Sequence, residues 1–261
     1  MDPILAAWAW ALIVPSALLL PVYAVTFYKV WNGSRFKLVL VLITLLSAAA
    51  ISFLVSGIGQ YGQFLYFEHD SNVNPFTWEI ILAVGIGVGN FCFNTAHWLL
   101  AFFYFKMVKN MPRVAKNQTN QVKDYRLVYW LGLILNAAPA LAFGIYFAKV
   151  SYANMHDTGR QKWLDDAFTV SSITNFAAQL VSGCILLWSV YNIHAFMSKN
   201  QFISHELNVK SLCYHASAFS LFVVSIIIFT GFYANYALNP TNDGDGFEIA
   251  GIVMQLLSFI S

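Results

Sequence analysis

The chain has 261 residues, of which 59% are hydrophobic and 10% charged, with a net charge of +2. Soluble domains carry about 25% charged residues, so this composition excludes an ordinary soluble domain and predicts a surface that faces lipid. The basic residues form no patch of the kind that binds nucleic acid. We therefore interpret residues 1–261 as a single transmembrane domain, and predict no nucleic-acid partner.

Apolar stretches follow one another along the chain, separated by short polar connections. A helix needs about 20 apolar residues to cross a bilayer. Six stretches reach that length, and the seventh has only about 14 residues. The short seventh stretch is either a half-span or the start of a span in a chain that is a fragment of a longer protein. The sequence thus predicts an all-α bundle of seven transmembrane helices, the seventh short or truncated. They are expected over residues 4–28, 38–58, 80–105, 127–148, 168–196, 212–237 and 247–260.

The connections alternate in charge. Eleven of the fourteen Lys and Arg residues lie in the first, third and fifth connections, whereas the second and sixth hold none and carry acidic residues. Because basic residues favour cytoplasmic loops, this pattern predicts an N-terminus outside and a C-terminus inside. The sequons at Asn32 and Asn117 then lie on the cytoplasmic side and are expected to carry no glycan.

The third connection, from Met107 to Arg126, is the largest of the basic loops and, together with Lys106 just before it, carries six Lys and Arg residues. Its charge is typical of the cytoplasmic side of a membrane protein and suits contact with anionic lipid. The alternative is a docking site for a cytoplasmic partner. The apolar composition of the whole chain predicts the lipid bilayer as its main partner.

Amides and hydroxyls, rather than charges, interrupt the apolar stretches. No Asp, Glu, Lys or Arg lies well inside any stretch, which argues against ion-coupled transport and acid–base chemistry within the membrane. Polar residues fall instead on single helical faces, at i, i+4 and i+7 on helix 3 and at a similar spacing on helix 5. Ser171 and Ser182 belong to the face on helix 5. The candidate ligand-binding residues are Asn90, Asn94, His97, Asn136, Asn175 and Gln179.

Two interpretations of these polar faces stay open. Amides inside a bundle often form interhelical hydrogen bonds, each contributing about 0.6–2 kcal/mol. Alternatively, the same side chains line a ligand pocket or a water-filled cavity. A structure in which the amides pair with one another would favour the first interpretation.

Glycines occur at a spacing that favours close helix packing. Gly85 and Gly89 form a G-x-x-x-G motif on helix 3, and small residues at this spacing let two backbones approach. We expect this motif to pack inside the bundle rather than to form a dimer interface.

Histidines and cysteines predict no cofactor. His97 lies deeper in its helix than His194, and His215 lies on a third stretch, so the three do not share a depth suited to haem or metal. The three cysteines lie in apolar stretches as small hydrophobic residues. No catalytic, nucleotide or metal-binding motif is present in the sequence. We predict no catalytic residues, no metal and no cofactor, which favours a protein that is not an enzyme.

One segment of helix 3 carries a resemblance. Phe93-Asn94-Thr95-Ala96-His97-Trp98, followed by Ala101-Phe102-Phe103-Tyr104, resembles a segment of uncharacterised seven-helix, receptor-like membrane proteins of unicellular eukaryotes. The overall plan is also similar to that of G-protein-coupled receptors. However, helix 3 ends in Phe103-Tyr104-Phe105-Lys106 and lacks their acidic-Arg-aromatic triplet. The resemblance implies a seven-helix architecture and carries no known activity.

Three functions compete at this point. The first is a receptor-like protein that binds a small neutral or weakly polar ligand within the bundle. The second is a transporter or channel for an uncharged solute. The third is a membrane enzyme or haem protein that uses the histidines. A purely structural or assembly role is the remaining possibility.

Overall fold

The computed structural model describes residues 3–33, 37–69, 75–115, 124–155 and 162–199, together with Val253. The first five of these segments contain five α-helices. Apart from Val253, the stretches predicted as helices 6 and 7 lie outside the described residues. The helices are α1 (Pro3–Gly33), α2 (Lys37–His69), α3 (Pro75–Ala115), α4 (Arg126–Met155) and α5 (Lys162–Lys199).

Each helix covers one of the first five predicted stretches and extends beyond it. The largest extension is in α3, which begins at Pro75 and continues past Lys106 and Lys109 to Ala115. Hydropathy marks only the part of a helix that crosses hydrocarbon. The intrahelical backbone hydrogen bonds continue after the side chains become polar, so the helix ends later than the apolar pattern does.

All five helices are long and apolar enough to cross a membrane. Their outward faces carry large apolar side chains that the protein itself leaves uncovered, such as Leu18 with 69% and Leu135 with 65% of its surface exposed. An exposed apolar surface of this extent is unfavourable in water and favourable against lipid chains. The all-helical, membrane-compatible part of the predicted fold is thus confirmed for the described residues.

Consecutive helices run antiparallel, as the pairing of residues along each interface shows. In α1 and α2, Trp10 packs against Tyr61, with 5.6 Å between ring centroids. Between α4 and α5, the rings of Phe143 and Phe147 both stack on Phe168, at 5.8 and 5.9 Å. Short connections favour this arrangement of neighbours.

Among the five described helices, α3 has the most helix neighbours, since it packs against α2, α4 and α5. It is antiparallel to α4, where Phe105 meets Tyr125. It is parallel to α5, where Phe105 also approaches Trp188 at 6.2 Å. One end of the bundle therefore gathers the basic residues Lys29, Lys37, Lys106, Lys109 and Arg126.

The G-x-x-x-G motif of α3 packs against α2, within the bundle as predicted. A Cβ atom on Gly85 would lie 2.7 Å from the carbonyl oxygen of Ser52, and one on Gly89 would lie 2.6 Å from the ring of Phe53. Ser56 reaches across the same interface, where its Oγ lies 3.4 Å from the Leu82 carbonyl oxygen. Only glycine, whose side chain is a single hydrogen atom, permits so close an approach of two helices.

Glycines also bring α3 and α4 together. A Cβ atom on Gly144 would lie 2.7 Å from the Cα atom of Gly87. Further along the interface, the indole of Trp98 covers Gly132 so closely that a Cβ there would overlap the ring. The Nε1–H of Trp98 donates a hydrogen bond of 3.0 Å to the carbonyl oxygen of Tyr129, which fixes the indole over the glycine. This contact sets the separation of α3 and α4 beside the polar interior.

Candidate functional site

Three of the predicted residues form a chain of side-chain hydrogen bonds between α3 and α5. Gln179 donates from Nε2 to Oδ1 of Asn94 at 2.7 Å. Asn94 in turn donates from Nδ2 to Oδ1 of Asn175 at 2.8 Å. Asn94 is fully buried, and Asn175 and Gln179 are nearly so. One amide of α3 is thus held between two amides of α5.

A second polar contact joins α4 to the same face of α5. Ser182 donates from Oγ to Oδ1 of Asn136 at 2.6 Å. The Nδ2 group of Asn136 donates to the Gly132 carbonyl oxygen of its own helix at 2.8 Å. Both Asn136 and Ser182 are buried. We refer to Asn94, Asn136, Asn175, Gln179 and Ser182 together as the amide cluster.

The helical spacing of α5 explains why it contributes most of the amide cluster. Asn175, Gln179 and Ser182 follow one another by four and then three residues, which places their side chains on one face. That face turns inward towards α3 and α4, because an amide left without a partner in hydrocarbon is costly. Ser171, on the same face, is also buried. The predicted inward orientation of this face is confirmed.

The other two predicted residues lie on α3 but have different surroundings. Asn90 is half-buried, and its Nδ2 group donates to the Ile86 carbonyl oxygen of its own helix at 3.0 Å. His97 is buried, and its ring packs against Phe93 with 5.2 Å between centroids. The structure therefore brings Asn94, Asn175 and Gln179 into direct contact, and pairs Asn136 with Ser182.

One donor of the amide cluster is left over. The Nδ2 group of Asn175 is buried and has no hydrogen-bond partner within the part of the chain that the structure describes. A buried amide N–H without an acceptor costs about 1–3 kcal/mol, so such groups are few in folded proteins. The pairing of Asn94 with Asn175 and Gln179 favours the first interpretation of the polar faces, interhelical hydrogen bonding. Within the amide cluster, the Nδ2 group of Asn175 is the donor that stays without a partner among the described residues.

The amide cluster is neutral, which limits its chemistry to hydrogen bonding. Its five members have no ionisable side chain and cannot act as general acids or bases near neutral pH. Within the described ranges, no three His, Cys, Asp or Glu side chains lie close enough together to hold a metal ion. His215 and Cys213 lie outside those ranges.

A second feature is an open apolar groove where α3, α4 and α5 meet near the basic end of the bundle. Its volume is about 400 Å³. Cys184 and Trp188 of α5 are exposed along it, and the ammonium group of Lys109 marks one end. The groove is lined by Trp98, Phe105, Lys109, Val128, Cys184, Ile185 and Trp188.

Sequence reasoning did not find this groove. Phe105 and Lys109 are four residues apart on α3, and that spacing alone places an aromatic ring beside an ammonium group. The third participant, Trp188, belongs to α5 and reaches the pair only through tertiary packing. The local spacing was therefore a usable signal, whereas the groove itself depends on the arrangement of three helices.

Comparison of the chain with protein-family models, with curated proteins and with solved structures finds no match.

Proposed function

We propose that this protein is an integral membrane protein of seven-helix, receptor-like architecture that binds a small neutral ligand beside the amide cluster. The observation that carries the proposal is the buried Nδ2 donor of Asn175, which lacks an acceptor in the described part of the chain. A ligand with a carbonyl, ether or hydroxyl oxygen would supply that acceptor. Because the amide cluster is neutral, a charged ligand would be disfavoured there.

The pairing of the amides bears on the other functions. A transporter or channel for an uncharged solute requires polar side chains that face a water-filled path. Here Asn94, Asn175 and Gln179 bond to one another. This pairing supports a fixed polar contact rather than a continuous polar route through the bundle. For a metal enzyme, the described residues, which include His97 and His194 but not His215, hold no group of three side chains suited to a metal ion.

Ligand binding is tested by thermal unfolding of the purified full chain against a panel of small neutral compounds that carry oxygen acceptors. At a hundredfold excess over Kd, a ligand adds about 2.7 kcal/mol of stability, and we expect Tm to rise by about 5 °C. The rise should be much smaller in Asn175→Ala, because this variant lacks the Nδ2 donor on α5. The Nδ2 group of Asn94 loses its acceptor in the same variant, but it lies on α3.

The matched control is Asn192→Ala. Asn192 also lies on α5, but its Nδ2 group donates to the Trp188 carbonyl oxygen of its own helix at 2.7 Å. This variant should respond to the ligand as the wild type does. The proposal fails if no compound in the panel shifts Tm, or if compounds that do so act equally on Asn175→Ala.

The seven-helix topology and its orientation rest on the alternation of charge along the sequence. The structure places Lys29, Lys37, Lys106, Lys109 and Arg126 at one end of the bundle, which supports a common side for the first and third connections. The positive-inside rule then assigns that end to the cytoplasm. Residues 212–237 and 247–260 would supply the remaining two spans.

This orientation predicts that the two sequons remain unmodified. Asn32 is exposed near the end of α1, and Asn117 lies outside the described residues. We expect the full chain expressed in eukaryotic cells to show no change in mobility after treatment with an endoglycosidase. A sequon placed in the second connection by His69→Asn and Ser71→Thr should, in contrast, acquire a glycan. A glycan on Asn117 of the wild type would reverse the assigned orientation.

A further inference from the structure

We infer that the groove between α3, α4 and α5 is a binding site for an anionic phospholipid. The headgroup phosphate would contact Lys109, and one acyl chain would lie along the apolar lining. This inference concerns a different surface from the amide cluster and does not depend on the ligand proposed there.

The charge at the rim of the groove is available for an anion. The Nζ atom of Lys109 lies 5.1 Å from the ring centroid of Trp188 and 5.7 Å from that of Phe105, so two aromatic faces hold the ammonium group. Within the described ranges no carboxylate forms an ion pair with Lys109, whereas Arg126 is paired with Asp124 at 2.6 Å. An aromatic ring attracts a cation without neutralising its charge, and a phosphate can still approach it.

The depth of the groove suits an acyl chain. Lys109 lies near the end of the span of α3, which extends to Pro112. Trp98, at the other end of the lining, is about 16 Å away along the helix axis at 1.5 Å per residue. The groove therefore runs from the depth of lipid headgroups towards the middle of the bilayer.

Among the described residues, side chains that line the groove are exposed at the surface of the five helices. These side chains are Val128 of α4 and Cys184 and Trp188 of α5. Apart from Lys109, the lining is apolar or weakly polar, so a hydrocarbon chain would lie against it without leaving a polar group unpaired. Tryptophan at the headgroup level is a further feature of lipid contact.

The test is quenching of tryptophan fluorescence by brominated lipid, because Trp98 and Trp188 both line the groove. The full chain is reconstituted into phosphatidylcholine vesicles that contain a small fraction of a phospholipid with brominated acyl chains. The brominated lipid is either phosphatidylglycerol, which is anionic, or phosphatidylcholine with the same chains. We expect phosphatidylglycerol to occupy the groove about fivefold more readily than phosphatidylcholine does. High salt should reduce this preference.

Substitutions identify the residue that causes the preference for phosphatidylglycerol. Lys109→Gln should abolish it, and Lys109→Arg should retain it. Lys106→Gln is the matched control, since Lys106 lies one turn earlier on α3 and does not line the groove. This control should keep the full preference for phosphatidylglycerol. Trp188→Phe should remove a large part of the preferential quenching.

Three results would overturn the inference. Equal quenching by the two brominated lipids would show that no selective site exists. A preference that survives Lys109→Gln would place the anionic site elsewhere. If Trp188→Phe is quenched as the wild type is, lipid does not reach Trp188. The groove is then covered by protein, either another segment of this chain or a second copy.

Discussion

Replacement of Asn94 by leucine is expected to lower the free energy of unfolding by about 3 kcal/mol. Asn94 both donates to Asn175 and accepts from Gln179, so its loss breaks two interhelical hydrogen bonds. It also leaves the Nε2 donor of Gln179 and the Oδ1 acceptor of Asn175 buried without partners. Leucine has the same branched arrangement of heavy atoms and is somewhat larger, so the change removes the hydrogen bonds without creating a cavity. Unfolding of the full chain in mixed micelles with increasing sodium dodecyl sulfate measures the effect.

Asn90→Leu is the control, on the same helix and one turn away. The Nδ2 group of Asn90 donates only to its own helix in the described structure, and its side chain is half-buried. We expect a change of about 0.5 kcal/mol or less. If the two leucine variants lose equal stability, the interhelical pairing of Asn94 contributes nothing beyond the general effect of an amide on α3.

Gly132→Ala is expected to destabilise the protein, although alanine favours a helix over glycine by about 1 kcal/mol. The added Cβ would overlap the indole of Trp98, which its hydrogen bond to the Tyr129 carbonyl oxygen holds in place. Overpacking of this kind costs about 3 kcal/mol, so the net loss should be about 2 kcal/mol. The same unfolding assay in mixed micelles gives the value. The sign of the effect distinguishes a packing role from helix propensity.

Two further variants test this explanation. Gly33→Ala is the control, because a Cβ on Gly33 meets no atom within 4 Å, and its stability should change by about 0.5 kcal/mol or less. Trp98→Leu removes the obstructing ring, so adding Gly132→Ala to it should cost far less than adding it to the wild type. A Gly132→Ala variant that is as stable as the wild type would contradict the close contact between α3 and α4.

The sequence predicted five of the helices and the inward face of α5 because both follow from periodic patterns. Hydrophobic stretches separated by polar connections locate the spans, and a spacing of three and four residues places Asn175, Gln179 and Ser182 together. The packing of Gly85 and Gly89 inside the bundle was predictable for the same reason. The true ends of the helices were not, since hydropathy does not report where intrahelical hydrogen bonding stops.

The partners of each polar side chain required the tertiary structure. Asn90 and Asn94 occupy the same helix face in the sequence, yet only Asn94 reaches α5, because the packing of α3 places it at the correct height. Whether the Nδ2 group of Asn175 has an acceptor likewise depends on its tertiary surroundings, and among the described residues it has none. The contact of Trp98 with Gly132 has no periodic signal at all, since it joins one residue on each of two helices.

Asn94 and Gln179 are bonded to each other across the interface of α3 and α5, and a double-mutant cycle measures the energy of that bond. The stabilities of the wild type, Asn94→Leu, Gln179→Leu and the double variant are measured in the same mixed micelles. If the 2.7 Å hydrogen bond exists, the two substitutions should be non-additive, with a coupling energy of about 1 kcal/mol. Strictly additive losses would contradict the amide cluster, and with it the proposed ligand site beside Asn175.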